Sequence, residues 1–133
     1  MGNEYSKIRD IIYNKYKNEI FLEFNNTDDD FGSYIEEHLI VLPKRKWSKP
    51  DAWFIFAFLH EIGHIKTNTI NMKRYEQEYL ATQWAIDESK DIGFNYPKSV
   101  LYVYQEYIWK WRDTSIKHRG KNIKSKDELT LKI

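Results

Sequence analysis

Between residues 4 and 18, Tyr5, Ile8, Ile11, Ile12 and Tyr16 recur every three or four positions, with Lys, Arg and Asn between them. That spacing predicts an amphipathic helix. Glu19-Ile20-Phe21-Leu22-Glu23-Phe24 abandons the helical period and is rich in β-favouring rings, so an extended segment follows. Asn25 to Asp30 is polar throughout and reads as a solvated hairpin loop. Its three aspartates lack the ligand alternation and closing Glu of a calcium loop. Gly32 to Glu37 and His38 to Leu42 read as two short strands or one bent one, closed by Pro43, with Lys44-Arg45-Lys46 on the surface. A small antiparallel sheet of two or three strands is expected.

The next segment differs in kind. From Asp51 to Lys66 the apolar residues go nearly all the way round a helix, which marks a central buried helix. Ser48 or Asp51 is placed to cap it, with Pro50 at its entry. Thr67-Asn68-Thr69-Ile70-Asn71 breaks the pattern, and a second helix runs from Lys73 to Lys90, ending near Gly93. Pro97 opens a last helix through Asp113, with Val100, Leu101, Tyr104, Ile108 and Trp111 facing inward. The elements give an α+β chain with one domain over 1–116 and a basic, polar tail or short edge strand over 117–133.

Composition narrows the class of function. At 133 residues there is room for a single core, and a 17% aromatic content builds much of it from rings. Lys plus Arg (21) nearly balances Asp plus Glu (20), so no global field favours nucleic acid or an anionic membrane. The absence of cysteine removes thiolate metal sites and fits a reducing compartment. Neither a secretory leader nor a membrane span is visible, and a cytoplasmic location is expected.

Chemistry concentrates at His60-Glu61-Ile62-Gly63-His64, at the end of the buried helix. Residues four apart share a helix face, so His60 and His64 can reach one metal ion, with Glu61 one step round as a general base. A catalytic zinc site needs a third protein ligand and one open position. No third histidine follows at a suitable spacing, which leaves Glu76 and Glu78 on the next helix. Glu78 is favoured, because Ala81 and Ala85 on its face would let that helix press close, whereas Glu76 shares its face with Tyr79, Leu80 and Gln83. Gly63, inside a helix at a cost of ~1 kcal/mol relative to Ala, suggests a close backbone approach at the same place. Zinc so held lowers the pKa of bound water and polarises a carbonyl, while Glu61 carries the proton to a leaving amine. Peptide-bond hydrolysis suits this set best.

With those residues in view, the chain resembles the gluzincin branch of zinc peptidases, and within it the ImmA/IrrE-like family. The likeness rests on His60-Glu61-Ile62-Gly63-His64 and on Glu76-Gln77-Glu78-Tyr79-Leu80-Ala81-Thr82-Gln83-Trp84-Ala85-Ile86, and it extends in element order over residues 1–115. It implies a zincin-like fold and Glu78 as the ligand. It also implies a cytoplasmic protease acting on a specific protein partner, commonly a repressor of a phage or mobile element. Where the family often has Asp or Asn behind the ligands, this chain has Thr82, which can still orient a ligand by hydrogen bonding. The competing expectation is a binding or regulatory module that keeps the fold without proteolysis.

Other features carry weaker expectations. The segment Gly32 to Leu42 is the candidate edge for docking an extended substrate. Tyr75, Tyr79, His38 and His118 are candidates for stabilising an oxyanion, without a ranking among them. Tyr102, Tyr104, Tyr107, Trp109 and Trp111 read as core fillers, with the wall of a substrate pocket as the alternative. The basic runs at 44–46 and 117–126 read as solvated surface, with no nucleic-acid partner.

Overall fold

In a computed structural model, the backbone is described for residues 3–119 and 123–133, with side chains omitted at 117–119. Helix α1 (Glu4–Tyr16) starts on Asn3, whose side chain accepts from the Ser6 amide, and turns Ile12 and Tyr16 inward. Strands β1 (Phe21–Asn25), β2 (Gly32–Tyr34) and β3 (Leu39–Pro43) form one sheet in the order β1-β3-β2.

The sheet is mixed rather than antiparallel. β2 and β3 pair antiparallel, with Ser33 opposite Ile40, but β1 runs parallel to β3, with Leu22 opposite Ile40. The polar connection after β1 is therefore a crossover past the place of β3, not the expected hairpin loop. The hairpin is the later turn, where His38 takes φ 53°. The reason lies in β3: Ile40 and Leu42 are fully buried, and the central position covers them best.

A short helix α2 (Lys44–Ser48), not foreseen, follows directly. Trp47 drives it, with its ring packed edge-on against Phe24 and Phe58, while Lys44 and Arg45 face solvent. Asp51 then caps α3 (Ala52–Thr67), accepting from the Phe54 amide at 2.8 Å. Every residue of α3 from Phe54 to Ile65 is buried, as the all-round apolar pattern predicts. Asn68, in the left-handed conformation, ends it.

Helix α4 (Arg74–Ile92) lies along α3 and ends on Gly93 at φ 73°, a conformation that favours glycine. Helix α5 (Lys98–Arg119) continues beyond the expected end at Asp113. The final stretch is not a loose tail where it is described. Leu129 is fully buried and Leu131 nearly so. Gln105 exchanges hydrogen bonds with Leu129 O and Leu131 N, and Gln83 with both backbone groups of Lys132. Two side-chain amides thus pair with backbone as a neighbouring strand would. Residues 120–122 of the basic run lie outside the described residues. No helix among the described residues is long and apolar enough to cross a membrane.

Candidate metal centre

The motif residues occupy the last turns of α3, where the helix is enclosed by α4, α5 and β2. His60, Glu61 and His64 are 4%, 8% and 7% exposed. What delivers the third group is a helix contact without side chains between. A Cβ placed on Gly63 would stand 2.5 Å from the Ala81 carbonyl oxygen, so α3 and α4 touch backbone to backbone there. That approach sets Glu78, one turn before Ala81, against the two histidines.

The three donors converge. Among the described residues, His60, His64 and Glu78 form the one group of three or more candidate ligands, with their donor atoms all within 4.8 Å of one another. His60 Nε2 lies 2.8 Å from Glu78 Oε2 and 3.2 Å from His64 Nε2, and His64 Nε2 lies 3.5 Å from Glu78 Oε1. Ligands ~2.0–2.1 Å from a tetrahedral zinc ion stand about 3.3 Å from each other. The measured separations bracket that value. Glu76 points elsewhere, its carboxylate 3.7 Å from Lys124 Nζ.

Hydrogen placement agrees with the distances. Thr82 Oγ1 lies 2.7 Å from the Glu78 carbonyl oxygen and 3.0 Å from His60 Nδ1. A carbonyl can only accept, so the single hydroxyl proton goes there and His60 Nδ1–H donates to Thr82. With Nδ1–H committed to Thr82, Nε2 is the His60 atom turned towards Glu78 and His64, and its lone pair becomes available to a cation once any proton shared with Glu78 is displaced. Lone pairs aimed at one point suit a divalent cation better than a hydrogen-bonded core. Thr82 is fully buried, so both of its contacts are made away from solvent.

Electrostatics bind the set together. Burial pushes the Glu78 carboxyl up, but hydrogen bonds and charge interactions with His60 and His64 outweigh it and hold the group well below the usual carboxylate range. For His64, burial pulls downward, while Glu78 and then Glu61 pull the pKa above its ordinary 6.5. Arg74, not singled out from sequence, donates from Nε to Glu78 Oε1 at 3.0 Å, its guanidinium stacked 5.1 Å over the Trp111 ring. Its spacing of four residues from Glu78 was the available clue.

These groups open into a cavity of about 450 Å³. Glu61 lines it beside the three candidate donors, and Tyr104 and Tyr107 of α5 line it as well. Tyr104 stacks on His60 with ring centroids 4.8 Å apart. Burial, followed by the charges of Glu61 and Glu78, pushes its phenol well above the usual range, so the hydroxyl keeps its proton. Residues 31–35, including all of β2, form another wall. Among the described residues β2 pairs only with β3, so its outer edge has no strand partner there.

Of the four residues named as oxyanion candidates, Tyr75, Tyr79 and His38 are not among those lining the cavity. Tyr75 is fully buried, and its hydroxyl accepts from the Lys124 amide. Tyr79 packs against the core, and His38 Nδ1 pairs with the Glu19 carbonyl oxygen at 2.9 Å. The side chain of His118 lies outside the described residues. Tyr104 packs against the core as expected and also walls the cavity, but it was not among the residues named for the site chemistry. Nothing local in the sequence ties a helix 40 residues downstream to the motif.

Comparison of the chain with known protein families, curated proteins and solved structures finds no match.

Proposed function

We propose that the chain is a zinc-dependent peptidase of the gluzincin type, ImmA/IrrE-like, that hydrolyses a peptide bond in a specific protein partner such as a transcriptional repressor. One observation carries this: His60, His64 and Glu78 converge at zinc-ligand separations in a cavity that also holds Glu61 and the free edge of a strand. A purely structural zinc site has no need of the extra carboxylate and closes on a fourth protein ligand.

His60, His64 and Glu78 would hold the ion. Bound there, zinc supplies a Lewis acid that activates water and polarises the substrate carbonyl. Glu61 takes the proton as water attacks and returns it to the leaving nitrogen. Tyr104 keeps its phenolic proton and donates it in a hydrogen bond to the carbonyl oxygen as that oxygen gains charge. Arg74 holds one carboxylate oxygen of Glu78, and Thr82 holds His60, so neither ligand has to be ordered when the ion arrives. Main-chain groups of β2 bind the substrate as an added strand, which positions its peptide bonds along the cavity.

The test is cleavage of a mixed peptide library by zinc-loaded protein, read by mass spectrometry, with Glu61→Gln alongside. Fragments are expected from the wild type, with rates lower by ~10²-fold or more in Glu61→Gln at unchanged zinc content. A wild type that carries one zinc and cuts nothing would favour a binding or regulatory module.

A further inference from the structure

Arg74 offers more than the support of Glu78 requires. Its Nε lies 3.0 Å from Glu78 Oε1, and its guanidinium carbon stands 5.1 Å over the Trp111 ring. A guanidinium carries five N–H donors in one plane, and this contact takes one of them. Among the described residues, neither terminal nitrogen of Arg74 forms a hydrogen bond. The side chain is 53% exposed, against 5% for Glu78, and it lines the metal cavity. Glu78 is already held by His60 Nε2 at 2.8 Å and, through its own carbonyl oxygen, by Thr82 at 2.7 Å. A single donor to Glu78 does not require a fork. Stacking on Trp111 nevertheless fixes the plane of this one.

Charge points the same way. Among the described residues that line the cavity, the acids are Glu61 and Glu78, and Arg74 is the one Lys or Arg. His60 and His64 bind a metal as neutral rings. The two charges of a zinc ion would be matched by the two carboxylates, which leaves Arg74 as the uncompensated charge of the lining. Acids elsewhere on α4 and α5 are engaged: Glu76 pairs with Lys124 at 3.7 Å, and Asp113 with Lys126 at 3.8 Å. A planar cation in surplus, held flat on an aromatic ring with its terminal nitrogens unused, is complementary to a carboxylate, which accepts two parallel N–H bonds.

We propose that Arg74 is a specificity-determining residue of the peptidase, receiving a carboxylate of the substrate on its two terminal nitrogens. This rests on the hydrolase reading above. Because Nε touches an oxygen of the candidate ligand Glu78, the fork stands within about two or three residues of extended chain, at ~3.3 Å each, of the bond that is cut. The substrate is therefore anionic close to that bond. The carboxylate is either an Asp or Glu side chain or the chain-terminal group.

The experiment uses two randomised peptide pools. One has blocked ends and contains Asp and Glu, and the other lacks both acids and has a free terminal carboxyl group. Zinc-loaded wild type is assayed for cleavage, and immobilised, zinc-loaded Glu61→Gln for retention of peptides. Both are repeated with Arg74→Gln, which removes the charge, and with Trp111→Leu, which removes the stacking ring without touching Glu78. Zinc content is measured for every variant. Cleaved and retained peptides should be enriched in an acid within three residues of the cut in the first pool, or cut within three residues of the free end in the second, and the pool that responds identifies the source. The preference should fall about tenfold or more in Arg74→Gln and fall also in Trp111→Leu. No carboxylate preference in wild type, or one unchanged in Arg74→Gln, overturns the role of Arg74 and leaves the hydrolase standing. If Arg74→Gln loses its zinc, Trp111→Leu decides, and a preference unchanged there overturns the role equally. Retention with the preference but no cleavage by wild type keeps the carboxylate site and overturns the hydrolase. Neither retention nor cleavage overturns both.

Discussion

Thr82 shows how much one hydroxyl decides. It donates to the Glu78 carbonyl and accepts from His60 Nδ1, so it ties the backbone of one ligand to the ring of another. Thr82→Val keeps the shape and removes both bonds. Its zinc affinity should fall by ~10–100-fold in chelator competition, with Thr82→Ser close to wild type. Equal affinities in all three proteins would remove Thr82 from the site. His64 gives a pH dependence whose sign differs between the two forms of the protein. Its folded pKa is raised above 6.5 by Glu78 and Glu61 despite burial, so in the metal-free chain its contribution to stability is full below 6.5 and lost as pH rises through the folded value. Zinc needs the neutral ring, so its binding strengthens over the same rise. The gap in melting temperature between zinc-loaded and zinc-free protein should therefore widen from about pH 6 to about pH 8. A gap that narrows over that interval would contradict the pairing of His64 with Glu78.

At the level of elements, the contact between α3 and α4 is the structural basis of the site. Gly63→Ala would gain up to ~1 kcal/mol of helix propensity. The added methyl meets a backbone carbonyl at 2.5 Å, however, and no rotamer can relieve that. Separating the helices costs ~1–3 kcal/mol and withdraws Glu78 from the histidines. A lower melting temperature together with weakened zinc binding is expected, and a variant more stable than wild type with full zinc affinity would refute the close contact. This part was legible in the sequence, because Gly63, Ala81 and Ala85 are local and their smallness has one geometric use. Glu78 over Glu76 followed from the same face. The sheet was less legible. Three short apolar runs fix which residues are extended but not which strand stands between the others, although the burial of Ile40 and Leu42 hints at β3. Tyr104 and Arg74 reach the site by tertiary packing, and only Arg74 had a local cue in its spacing from Glu78. The short helix α2 escaped because its reason is the Trp47 ring, which packs against residues far along the chain.

For the molecule as a whole, the last residues matter more than their polarity suggests. Residues 129–133 are bound across α4 and α5 by Gln83 and Gln105, and Leu129 fills the core. Leu129→Ala should destabilise the chain by ~2–4 kcal/mol in denaturant titration, and a change under ~0.5 kcal/mol would show the stretch to be loosely held. Two polar alternations among basic residues were too weak a pattern to reveal this. Around that frame, the enclosing elements bring His60, His64 and Glu78, the Glu61 carboxylate, Tyr104 and the edge of β2 to one cavity. The central claim is that His60, His64 and Glu78 are the zinc ligands. Its most direct measurement is zinc content after metal loading and desalting, for wild type, Glu78→Ala and Glu76→Ala. One zinc per chain is predicted for wild type and Glu76→Ala, with loss in Glu78→Ala. Full zinc retention by Glu78→Ala would contradict the claim.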